Sequence, residues 1–242
     1  MSDKHIVTLY EKVAIEEDLA TKNQASDLRR RSFTCQVLGR ILALRPAHIL
    51  EVGPGSGFIT QGILPIIEEH CAQYYALDFS KTFLEKTYNN KFDRKNFFVR
   101  DICSSNFKVP KKFDVILFQE VLEHLTAPYI ALENLNKSMK RGGLLLLTTP
   151  NSFEVKPQIR FILKKPKLLR NTHIAELSPL GLIKLLSMSG FKVIEIHFNN
   201  YRFKLLPKVF GQLFSSEVFI VAEKIGNTSE QWNHLTRSLT KI

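Results

Sequence analysis

Glu120, Glu123 and His124 stand at i, i+3 and i+4 in "QEVLEHL" (119–125), a spacing that brings all three onto one face if a helical turn begins there. Two carboxylates and an imidazole on one face suit a divalent ion, and an imidazole alone serves as a general base near neutral pH. A second set of residues lies at the ends of apolar runs. "ILEVGPGSGFIT" (49–60) passes directly into glycine at 53, 55 and 57, "YYALDFS" reaches Asp78, and "VRDICS" carries Asp101 and Ile102. Glycine permits positive φ and lets a ligand approach the backbone with no Cβ in the way. A carboxylate at Asp78 can accept two hydrogen bonds from ribose hydroxyls, and one at Asp101 can accept from an exocyclic adenine amine while Ile102 covers the ring. Either aspartate alone reads equally well as a solvated turn residue. Both at the same edge as a glycine turn favour a nucleoside-bearing ligand. The dinucleotide fingerprint G-x-G-x-x-G is not met, because its third glycine falls on Phe58; the spacing is G-x-G-x-G, which counts against hydride chemistry.

These residues need elements to hold them. Short apolar runs near 48–52, 73–78, 95–99, 113–118, 143–149, 191–198 and 217–224 alternate with stretches of helical period, the pattern of a sheet covered on both faces. Helices are expected over "FTCQVLGRILALR" (33–45), from Phe58 onward, and over "APYIALENLNKSMKRGG" (127–143), which ends in a basic turn and a glycine stop. Another spans 179–189, with Ser178 as N-cap, Pro179 in the first turn and Gly190 as the left-handed exit.

With "EVGPGSG", Asp78, "RDI", "FDVILFQEVLEHL", "MKRGGLLLLTTPN" and "EVFIVAEK" on the page, residues 40–225 resemble the class I S-adenosylmethionine-dependent methyltransferases of the type 11/23 kind, similar to the ubiquinone-pathway O-methyltransferases. The resemblance implies a Rossmann-like α/β fold: a seven-stranded mixed sheet in the order 3-2-1-4-5-7-6, strand 7 antiparallel, with helices on both faces. It implies a single domain over 1–225 with an N-terminal helical segment (1–47), a basic substrate-side insertion (151–177) and a tail at 226–242. The cofactor would be S-adenosylmethionine, held by Glu51, Gly53, Gly55, Gly57, Asp78, Phe79, Asp101, Ile102 and, at its methionine end, Gln119. "RNTHIAELSP" supplies His173. E-x-x-E-H, then "TPN", then His looks like the ubiquinone-pathway and small-RNA 2′-O-methyltransferases, which set such residues around a divalent ion gripping a vicinal diol or catechol. Glu120, Glu123, His124 and His173 are then metal-ligand candidates. Without a metal, His124 or His173 is left as a base or a positioner of substrate.

Composition bounds the rest. The 242 residues are 44% hydrophobic, enough for one sizeable core, and carry a net charge of +11. Cys35, Cys71 and Cys103 form no C-x-x-C pair, and the first residues hold no apolar leader, so a soluble, unprocessed chain in a reducing cytoplasm is expected. Six of the cations, Lys156, Arg160, Lys164, Lys165, Lys167 and Arg170, lie in "KPQIRFILKKPKLLR" (156–170), which has no acid and interleaves aliphatic residues. "YRFKLLPK" (201–208) repeats that chemistry. Such segments fit peripheral association with an anionic membrane, a phosphorylated acceptor or RNA, or else a solvated cap folded onto the core. The expected activity is methyl transfer to oxygen of a small-molecule, lipid-linked or glycan acceptor. RNA as acceptor and a degenerate cofactor-binding module serving a partner are the alternatives.

Overall fold

Runs of Val, Ile, Leu, Phe and Tyr become seven strands: β1 (His48–Val52), β2 (Gln73–Asp78), β3 (Phe97–Val99), β4 (Phe113–Gln119), β5 (Met139–Pro150), β6 (Phe191–Phe198) and β7 (Glu217–Lys224). Among the described residues seven α-helices accompany them: α1 (Gln24–Leu42), α2 (Phe58–Glu69), α3 (Lys81–Tyr88), α4 (Pro128–Ser138), α5 (Val155–Ile162), α6 (Pro179–Met188) and α7 (Gly211–Phe214). The computed structural model describes residues 24–42, 48–55, 57–88, 96–163, 173–198 and 211–227. The expected tail beyond 227, the basic residues at 164–170 and the stretch 201–208 lie outside the described residues. The strand order is β3-β2-β1-β4-β5-β7-β6, as expected, with β7 antiparallel to both neighbours.

The chain divides into two compact units, Met1–Leu117 and Phe118–Ile242. In the first, β1 pairs in parallel with β2 and β2 with β3. Tyr74 to Asp78 and Phe113 to Phe118 are buried without alternation, because helices cover both faces of a parallel sheet. On α2 the buried residues Thr60, Ile63 and Ile67 recur at three and four residues and so form one face, and α1 lies against the same helix.

In the second unit β7 is the centre of an antiparallel set, flanked by β5 and β6. α6 begins where its caps predict: Ser178 Oγ accepts from the Gly181 amide at 3.1 Å, Pro179 opens the helix, and Gly190 leaves it at φ +83°. The helix expected over 127–143 is shorter than its sequence suggests. α4 stops at Ser138, Met139 is already extended, and Gly142 (φ +72°) bends the following strand instead of closing the helix. The reason lies 85 residues on: the ammonium of buried Lys224 donates to the Asn136 and Met139 carbonyls at 2.7 and 3.1 Å. A cation on a helix's final carbonyls satisfies them without a glycine exit. Among the described residues no helix is long and apolar enough to cross a membrane.

Gly190 is closely enclosed by its neighbours. A Cβ there would lie 2.7 Å from Asn136 Nδ2 and 2.7 Å from the Gly226 carbonyl oxygen, at a φ of +83°. Gly190→Ala should therefore destabilise by about 3 kcal/mol from strain and overpacking combined, lowering the thermal midpoint by roughly 6–12 °C. Calorimetry of the variant checks this; an unchanged midpoint would contradict the packing.

Candidate functional site

Parallel pairing puts the carboxyl ends of β1, β2 and β3 at one edge. The register sets Val52 beside Leu77 and Asp78 beside Val99, and two backbone bonds extend it: Gly53 N–H to the Leu77 carbonyl at 2.8 Å and Arg100 N–H to the Asp78 carbonyl at 2.9 Å. The glycine turn, Asp78 and Asp101 therefore meet at that edge.

Gly53, Gly55 and Gly57 adopt φ of +67°, +53° and +75°, and Gly57 is the N-cap of α2. Left-handed backbone is what excludes other residues here. At Gly55 an added Cβ would meet nothing within 4 Å, so the turn also leaves open space beside its backbone, as a ligand-bearing cradle requires.

Asp78 is 5% exposed, and its Oδ1 accepts from the Ser80 amide at 2.8 Å. Burial pushes its carboxyl up to about 6 from an ordinary 3.8, while the Ser80 and Phe79 amides pull the other way. Its remaining capacity to accept suits a pair of hydroxyl donors. Asp101 is exposed and folds its Oδ1 back onto the Cys103 amide at 2.8 Å, a local turn bond. Ile102 is 5% exposed, which leaves little of it to cover a ring. Glu51 lies deeper. Its Oε2 accepts from the Thr60 hydroxyl at 2.7 Å and from the Tyr74 hydroxyl, and burial raises its carboxyl against those two bonds. Thr60 and Tyr74 escaped sequence reading. Tyr74 precedes by two the partner of Glu51 on β2, a signal that exists only once the register is known.

In the second unit Gln119 ends β4, half-buried. The expected helical face over 120–124 is corrected by the backbone. Glu120 takes φ +54° and donates its amide to the Thr148 carbonyl at 3.0 Å, and only Leu122–His124 form a 3₁₀ turn. The left-handed residue removes Glu120 from the i, i+3, i+4 relation. What assembles instead is Glu123, His124 and His173, each offering one ligand atom, all within 4.8 Å of one another. The Glu123 carbonyl accepts from the amides of Ile174 and Ala175 at 2.7 and 2.9 Å, and this carries His173 to His124, their rings 4.9 Å apart and edge to face. The Glu123 carboxylate is 1% exposed, with Oε2 accepting from Thr149 Oγ1 at 3.2 Å and Oε1 4.0 Å from His124 Nε2.

A family model described as a methyltransferase domain matches residues 26–196. The chain belongs to the methyltransferase domain family. This bears out the expected class and sets the nicotinamide oxidoreductase aside. A curated relative is the ubiquinone biosynthesis O-methyltransferase of Coxiella burnetii, 27% identical over 113 residues, 46% of this chain and 46% of the relative. The methyltransferase domain thus spans about half the length of the curated relatives it matches. Among solved structures, the N-methyltransferase NodS of Bradyrhizobium japonicum, in complex with S-adenosyl-l-homocysteine, shares the fold at 16% identity and TM-score 0.61, over 90% of this chain and 98% of that one. The Burkholderia thailandensis 1,6-didemethyltoxoflavin-N1-methyltransferase does so at 16% identity and TM-score 0.63, over 91% and 88%.

With Asp78 as the ribose acceptor, its raised carboxyl would give cofactor binding a pH dependence. Ribose hydroxyls donate to the ionised form, so affinity should rise as pH rises through about 6. In the empty protein the same raised value works the other way, favouring the fold at acid pH and losing that contribution as pH climbs from 3.8 toward about 6. Binding of S-adenosylhomocysteine is expected to be roughly tenfold weaker at about pH 5 than at about pH 7.5, and Asp78→Asn to bind weakly and without that slope. Isothermal calorimetry at the two pH values reads both; a pH-independent parent affinity would contradict the role of Asp78.

Proposed function

We propose that this methyltransferase domain transfers the methyl group of S-adenosylmethionine to an oxygen of a small-molecule, lipid-linked or glycan acceptor. The observation that carries the reading is the carboxyl edge of β1 to β3, where a left-handed glycine turn with open space at Gly55 faces a buried carboxylate at Asp78 with accepting capacity to spare. Asp101 adds an exposed carboxylate for the adenine amine, Phe79 and Ile102 flank the two acids, and Glu51 shapes the turn from beneath through Thr60 and Tyr74. When bound, the sulfonium supplies an electrophilic methyl carbon and leaves as a neutral sulfide. What the chain must add is an acceptor held in line and a place for its proton. His124 or His173 takes that proton, and Glu123 offsets the resulting positive charge. The O-methyltransferase relative supports oxygen as the acceptor atom, whereas the structural neighbours named above are N-methyltransferases.

A second reading is favoured by the convergence of Glu123, His124 and His173. Ligand atoms about 2 Å from one ion lie roughly 3–4 Å apart, so a group within 4.8 Å needs only a small contraction to hold Mg²⁺, Mn²⁺ or Zn²⁺. The ion would grip adjacent acceptor oxygens, with Glu120 outside its ligand set.

Incorporation of labelled methyl into a panel of phenols, glycans, lipid-linked acceptors and RNA tests the reaction. Transfer to RNA alone would move the acceptor class. Binding of S-adenosylhomocysteine with no transfer to any acceptor would favour a cofactor-binding module serving a partner. For any acceptor found, His124→Ala or His173→Ala, whichever imidazole takes the proton, should lower kcat about 10²-fold or more. Activity lost in chelator and restored by a divalent ion supports the metal; full activity in chelator removes it.

A further inference from the structure

α5 carries an aliphatic face with no evident use in the chemistry above. Ile159, Ile162 and Leu163 are 49%, 74% and 62% exposed. They stand at i, i+3 and i+4, and the Leu163 amide donates to the Ile159 carbonyl at 2.9 Å, so the helical turn continues through 163 and the three share one side. α7 lies against α5 and adds Leu213 and Phe214, each 39% exposed. Large apolar side chains left exposed on one side of a helix mark a surface that meets something other than water.

The sequence that contains and follows α5 is basic. The stretch 156–170 holds six cations and no acid, with Lys164 and Lys165 directly after Leu163; the stretch 201–208, shortly before α7, holds Arg202, Lys204 and Lys208, again with no acid. Alkyl groups gain by leaving water for a lipid interface while lysine and arginine are drawn to headgroup phosphates, and either signal alone anchors weakly. A single-stranded nucleic acid would call for stacking aromatic residues, and the face offers aliphatic ones.

We propose that the face formed by α5 and α7 docks reversibly on the surface of an anionic lipid bilayer. Ile159, Ile162 and Leu163 enter the interface, next in the sequence to the cations of 156–170. This goes beyond the methyl-transfer reading and does not require it.

The test uses the full chain, with co-sedimentation on vesicles of phosphatidylcholine and phosphatidylglycerol, on phosphatidylcholine alone, and filter retention of an oligoribonucleotide. The parent should bind the anionic vesicles and far less of the neutral ones. Ile162→Ser with Leu163→Ser, every charge kept, should weaken that binding at least tenfold, and Lys164→Gln with Lys165→Gln should weaken it several-fold at low salt. Vesicle binding unchanged by the serine pair, equal binding to neutral vesicles, or RNA retention without vesicle binding would each overturn the proposal. S-adenosylhomocysteine affinity, measured on all three proteins, reports that the variants are folded. Its absence in the parent would count against the methyl-transfer reading alone and leave the docking result standing.

Discussion

The parallel pairing of β1 with β2, extended by the Gly53 amide donating to the Leu77 carbonyl, is the constraint from which the cofactor edge follows. A parallel strand buried on both faces must deliver its chain to a covering helix, and here only Gly53 to Gly57 separate β1 from α2. The backbone meets that requirement with left-handed residues at 53, 55 and 57, a conformation in which a side chain costs roughly 1–2 kcal/mol each time. The same register carries Asp78 to the end of β2 beside that turn, so one hydrogen-bonding pattern sets both the cradle and the carboxylate. The Glu51 network acts from below: Thr60 is in the first turn of α2 and Tyr74 is on β2, and their shared bond to one carboxylate oxygen links helix, turn and sheet.

Buried ionisable groups divide by how completely the fold answers them. Lys224 gives its ammonium to two helix-terminal carbonyls and completes α4, a structural role. Asp78 receives amides that only partly offset desolvation, and its carboxyl stays raised to about 6. A carboxylate held short of full solvation would gain from a ligand that brings hydroxyl donors. Glu123 stands between the two cases: Thr149 holds one oxygen, while its other oxygen and its backbone carbonyl organise the two histidines.

Family and acceptor are decided in different parts of the chain. The fold is shared with methyltransferases at 16% identity, a level at which architecture persists while chemistry at the acceptor diverges. The residues that resemble the family most are glycines and strand-end acids, and in the proposed reading these handle the part of the reaction that does not change from one acceptor to another. In the same reading Glu123, His124 and His173 form the less general part.

The amino-acid sequence by itself determined the seven strands, the glycine turn, the caps of α6 and the acids at the carboxyl edge, because each rests on local chemistry: apolar runs, missing side chains, a serine before a proline. Tertiary structure alone decided where α4 ends, since the cation that satisfies its last carbonyls arrives from β7. It decided that Glu120 leaves the histidine group, because the residue spends its amide on β5 and takes a left-handed φ that a helical spacing rule presumes absent. It also brought His173 to His124 across 49 positions, through two amides on one carbonyl. Periodicity reads what a residue does with its neighbours in the chain; these three outcomes depend on partners the chain supplies from elsewhere.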